Sequence, residues 1–187
     1  MAVGLPAAVF MALLATTVAS ALLGKDFRVE GAPIIPWISF GAFFLGLRAY
    51  HFDLALQLSK ATANQVHVLV SAVVVSVGLK FFLIPTTGLI GAAEATMIAY
   101  VVATIVSAWA GRKHFKIPIP WTNWGKIGAA TLLMALCLWP MVGMKGWLAL
   151  GLQVVVACVT YGIAMLALDT AGSRGRLMKL VAAKASR

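Results

Sequence analysis

The stretch IIPWISFGAFFLGLRAYHFDLALQLSK, residues 34–60, decides how the chain is read. Its first half is apolar, and a second apolar run, VHVLVSAVVVSVGL, follows at residues 66–79. A helix needs about 20 apolar residues to cross the hydrocarbon of a bilayer. Residues 34–58 meet that length, so Arg48, His51 and Asp53 are expected inside a membrane-spanning helix. An arginine at that depth needs an explanation.

The whole chain fits the same reading. Of its 187 residues, 62% are hydrophobic and 11% charged, with a mean hydropathy of +0.98. Soluble domains are about one-quarter charged, so the composition predicts an integral membrane protein. The net charge of +10 is explained by anionic lipid headgroups and the cytoplasmic bias of Lys and Arg, with no need for nucleic acid. Cys137 and Cys158 stand alone in apolar runs, and no His/Cys cluster predicts a metal or a disulfide framework. MAVGLP lacks the positive start of a secretory signal, so no cleavage is expected.

Six apolar runs predict an all-α, polytopic bundle of six transmembrane helices, at about 4–23, 34–58, 64–84, 88–110, 125–142 and 147–168. These fill a transmembrane region of residues 1–170, followed by a basic tail, 171–187. The breaks between runs carry turn residues: GKDFRVEGAP, IPTTG, GRKHFKIPIPWTNW and MVGMKG. Six crossings put both termini on one side. That side collects Lys60, Arg112, Lys113, Lys116, Lys126 and the tail's five basic residues. The other has Lys25, Arg28, Lys80 and Lys145. The imbalance predicts cytoplasmic termini. The tryptophans, Trp37, Trp109, Trp121, Trp124, Trp139 and Trp147, all fall near predicted span ends, where an indole prefers to sit. The tail, SRGRLMKLVAAKASR, reads equally as an amphipathic helix on the cytoplasmic leaflet or as a disordered basic end.

Two features bear on packing. Gly91, Ala95, Ala99, Ala103 and Ser107 recur every four residues, so one helix face is small and lets a neighbouring backbone approach closely. Lys80 and Glu94 flank the IPTTG turn at similar depth and are expected to form an ion pair, structural rather than a relay.

Arg48 lies roughly 21 Å of helix from Ile34 and 15 Å from Leu58, too deep to reach either surface easily. A charge there costs about 2.5–3.5 kcal/mol on insertion scales. His51 follows three residues on, on the same face. Tyr50, Asp53, Gln57 and Lys60 form a second polar line. Asp53 is five residues from Arg48, about 140° around an α-helix, and is a poor partner by that geometry. Two roles are open to Arg48. It is neutralised by Asp53 or by a carboxylate on another helix and serves only packing, or it lines a cavity and offers its planar donors to an anionic group. The candidate cavity residues are Arg48, His51, Asp53 and Gln57.

The run PWISFGAFFLGLRAYHFDLALQLSK, the turn and helix IPTTGLIGAAEATMIAYVV and the connector GRKHFKIPIPW resemble the bacterial polysaccharide biosynthesis flippases, lipid-linked oligosaccharide exporters of the multidrug/oligosaccharidyl-lipid/polysaccharide superfamily. The motif residues are Pro85, Gly88, Leu89, Gly91, Ala92, Ala93, Ala95 and Thr96, with Tyr50 to Leu58 upstream. The resemblance implies two six-helix lobes around a cationic cavity, alternating access, and an undecaprenyl-diphosphate-linked saccharide flipped from the cytoplasmic to the periplasmic leaflet of the inner membrane. It implies that Arg48 would face the diphosphate. It covers most of residues 1–170 and corresponds to the C-terminal part only. Alternating access needs two bodies, so the partners expected are membrane lipid, the lipid-linked substrate, and a missing N-terminal lobe or a second copy. Glu94 departs from the family pattern inside GAAxAT. The competing reading is a small structural or assembly protein acting as an oligomer. An enzyme is not expected: no phosphate-cradling glycine loop or loop carboxylate pair stands out, and Asp26 and Glu30 sit beside Lys25 and Arg28 as a solvated cluster. No cofactor is expected.

Overall fold

The computed structural model of the protein describes residues 1–53, 62–114, 121–144 and 146–168. Among these residues it is all helix, with no strand. The elements are α1 (Gly4–Leu13), α2 (Ala15–Leu22), a 3-10 turn (Lys25–Phe27), α3 (Arg28–Gly31), α4 (Ile34–Leu47) and a π-helical turn (Arg48–Phe52). Then follow α5 (Thr62–Thr87), α6 (Leu89–His114), α7 (Trp121–Leu138), a 3-10 turn (Trp139–Met141) and α8 (Trp147–Ala167).

Four stretches are long and apolar enough to cross a membrane: Gln65–Thr87, Leu89–Gly111, Thr122–Met141 and Trp147–Ala167. Two bent pairs bring the number to six if each counts as one crossing. The outward-facing side chains of α5, among them Val70, Val73, Val74, Phe81 and Phe82, are large and apolar. Such a surface suits lipid. The chain is a multi-pass membrane protein by these features.

The first expected span, 4–23, is not straight. Its axis turns by 79° between α1 and α2. Backbone bonds flank the turn: the Leu14 N–H donates to Phe10 at 3.0 Å, closing α1, and the Val18 N–H to Leu14 at 2.8 Å, opening α2. Tertiary packing explains the bend. Leu14 and Val18 are buried in one cluster with Met134, Leu138 and Ala157, and the Thr17 hydroxyl donates to the Met144 carbonyl at 2.8 Å. The turn thus lays α2 beneath the α7–α8 connection. Thr17→Val keeps the shape and removes that bond. It is expected to cost about 1 kcal/mol, read as a lower melting temperature in detergent.

The expected break at 84–88 is also tighter than the sequence implied. Helix α5 runs through Pro85 to Thr87. Proline removes the backbone donor that would meet the Phe81 carbonyl; two residues on, the Thr86 and Thr87 hydroxyls donate to the Leu83 carbonyl at 3.0 and 2.9 Å. Gly88 alone makes the turn, at φ +62°, a conformation that costs other residues energy. Its N–H closes the helix on Ile84 at 2.9 Å.

The small-residue stripe is buried, as its spacing predicts: Ala95 and Ala103 are fully covered, as is Ser107. Ala103 meets Val68 and Ala72 of α5. Gly91 faces the Leu83 backbone, and Gly41 of α4 meets Met97 and Tyr100 of α6. Helix α6 therefore lies between α5 and α4. On the far side of α4 come α1, then α7, then α8. The packing order is α5, α6, α4, α1, α7, α8.

Candidate functional site

The polar cluster predicted around Arg48 sits where α4 gives way to the π turn. In a π turn the N–H of one residue bonds the carbonyl five residues back. Here the Asp53 N–H bonds the Arg48 carbonyl, which stacks residue 53 over residue 48. The expectation that Asp53 is a poor partner for Arg48 is therefore corrected. Its Oδ2 lies 3.3 Å from Arg48 Nε, with side-chain exposures of 14% for Arg48 and 6% for Asp53. The 140° separation holds only for an α-helix, and this segment is not one.

Helix α6 fixes the carboxylate from the other side. Ser107 Oγ donates to Asp53 Oδ1 at 2.6 Å. One turn earlier, Thr104 donates to the Tyr100 carbonyl at 2.7 Å and stands 3.2 Å from the Phe44 carbonyl of α4. Ser107 and Thr104 were not singled out as site residues by the sequence. The signal was present: the last member of an otherwise Gly/Ala stripe is a hydroxyl.

The Arg48–Asp53 pair is held by charge more than by hydrogen bonding. Arg48 Nε is buried and makes no aligned hydrogen bond among the described residues, despite the 3.3 Å approach. The pair forms one wall of a cavity of about 390 Å³, whose other lining residues are Gln65, Val66, Val68 and Leu69.

His51 does not share that cavity. It lines a separate one of about 410 Å³ with Phe43, Tyr50, Trp124 and the start of the chain. Its ring meets Trp124 edge-on at 5.5 Å and Phe52 at 5.1 Å. Its buried Nε2 has no hydrogen-bond partner among the described residues. Arg48 and His51, expected on one face, thus line different cavities, because the π turn changes the angle between residues 48 and 51. Tyr50 points outward and is largely exposed. Gln57 and Lys60 lie outside the described residues, as does the 171–187 tail.

The expected Lys80–Glu94 ion pair does not form; the pairing seen is Arg48 with Asp53. Lys80 instead lines a cavity of about 560 Å³ with Trp37 of α4 and Ala92, Ala93 and Thr96 of α6. Glu94 is about 100° from Ala93 and 200° from Ala92 around the helix, so it sits off that face. No group of three metal-ligating side chains occurs among the described residues.

No family model, curated protein or solved structure matches the chain.

Proposed function

We propose that this chain is one lobe of a bacterial inner-membrane transporter that flips a saccharide linked to a lipid diphosphate, with both termini in the cytoplasm. The observation that carries the reading is the partly buried Arg48, paired with Asp53 on the wall of a cavity inside an apolar helical array. A membrane interior offers few reasons to retain an arginine except a partner or a polar path. Its planar donors suit phosphate oxygens. The resemblance of residues 36–60 and 84–102 to the polysaccharide flippases supplies the cargo class. The open packing order supports the half-transporter reading, because α5 and α8 stand at opposite ends and leave room for a second body to complete a pathway.

The same open faces favour a second reading, in which copies of this chain assemble with one another and transport nothing. The experiment uses the neutral pair Arg48→Gln/Asp53→Asn, which removes the charge without orphaning its partner. In cells dependent on the transporter, the pair is expected to abolish export of the lipid-linked saccharide while the amount of inserted protein stays level. Undiminished export rejects the transport role of Arg48.

A further inference from the structure

The carboxylate of Asp53 occupies the place where an anion would meet Arg48. We propose that Asp53 is a built-in competitor for that site: an anionic phosphate group binds Arg48 only by displacing Asp53, which stays tethered to Ser107. This rests on the reading of Arg48 given above and adds the regulation of the same site.

Four observations carry it. First, Arg48 and Asp53 approach to 3.3 Å without an aligned hydrogen bond at Nε, so the guanidinium's directional donors are not satisfied by this carboxylate. A phosphate that accepts two of them makes the stronger contact. Second, the other oxygen of Asp53 is held by Ser107 at 2.6 Å. The carboxylate therefore keeps a partner after Arg48 leaves, which lowers the cost of displacement. Third, the pair borders a cavity of about 390 Å³, and no other charged side chain lines it among the described residues. Among the described residues Arg48 is the one cation that an incoming anion meets there, so how firmly Asp53 holds Arg48 bears directly on its affinity. Fourth, the pairing exists because the π turn stacks residue 53 over residue 48. Relaxing that turn to α-helix would swing the two residues about 140° apart. The segment thus has a simple route between a paired and a free arginine.

The test uses the full chain in lipid nanodiscs, with inorganic pyrophosphate and farnesyl diphosphate as probes. Asp53→Asn keeps the volume of the side chain and an oxygen that can accept from Ser107. It is expected to bind pyrophosphate about tenfold tighter or better than the unaltered chain, equivalent to about 1.4 kcal/mol. It is also expected to melt lower than the unaltered chain until pyrophosphate is added. Arg48→Gln should remove binding in both backgrounds. Unchanged or weaker binding by a folded Asp53→Asn chain overturns the proposal. A second measurement needs no variant: difference infrared spectra of the unaltered chain on adding pyrophosphate. A shift in a buried carboxylate stretch is expected, and binding without such a shift overturns the proposal. Absence of binding to every form also overturns it. Equal affinity for pyrophosphate and farnesyl diphosphate, with the Asp53→Asn gain intact, leaves Asp53 as competitor and counts against a lipid-linked cargo. Loss of the gain with export still dependent on Arg48 does the reverse.

Discussion

Arg48→Gln is expected to cost the fold about 3–5 kcal/mol, because it strands a buried carboxylate. Asp53 has 6% of its side chain exposed, and without the guanidinium only Ser107 remains to satisfy it. The measurement is unfolding in mixed detergent micelles, followed by helical circular dichroism. Adding Asp53→Asn should recover most of the loss, since two neutral amides of similar shape can be buried together more cheaply than one unpaired charge. The sign of that recovery is the decisive outcome. If the double variant is no more stable than Arg48→Gln, the two side chains are energetically independent and the 3.3 Å approach carries no coupling. Salt should affect the difference little, because a buried pair is weakly screened.

The second large effect is at Gly91. A Cβ built there would lie 2.5 Å from the Leu83 carbonyl oxygen and 2.7 Å from its carbon, and would also collide with the Thr87 hydroxyl. The obstacle is backbone, which has no rotamer by which to yield. Gly91→Ala is expected to destabilise by about 3 kcal/mol, at the upper end of overpacking costs. Gly91→Leu is expected to prevent α5 and α6 from closing at all. The same unfolding assay reads the alanine variant, and protease cleavage near residue 88 in membranes reads the leucine variant. Gly78→Ala is the control, because its added Cβ meets nothing within 4 Å. An alanine at 91 that melts like the control would show that the close approach imposes no constraint.

Four of the six expected spans and the packed face of α6 were legible in the sequence for simple reasons, while the first two spans are bent pairs. Span length follows from bilayer thickness, and Gly91, Ala95, Ala99, Ala103 and Ser107 keep their register through the helix period. The bend at Leu14 was not legible. The run AVFMALLATTVASALL has no glycine or proline at its centre, and the turn is imposed by the fit of Leu14, Thr17 and Val18 against α7, α8 and their connection. The Arg48–Asp53 pair was considered but disfavoured for a related reason. Angular rules for an α-helix separate the two, and the π turn that joins them has no mark in RAYHF. The Lys80–Glu94 expectation used depth along the helices but neglected direction around them. Lys80 turns toward Ala92, Ala93 and Thr96, a face Glu94 does not share.

The one-residue turn at Gly88 also bears on how the protein is made. With only Gly88 between them, α5 and α6 leave the ribosome as a hairpin whose two arms meet over short chain separations, and such contacts close early. Helix α1 packs on α4, but α2 has no such neighbour. Thr17 finds Met144 across 127 residues, and the Tyr161 hydroxyl finds the Ala2 carbonyl across 159. Helix α2 therefore waits for the last two helices before its buried face is covered. Assembly is split in time: an early middle, and an N-terminal start that is completed only by the late C-terminal helices. Stalling synthesis after α6 would leave a closed hairpin beside an α2 still without its partners.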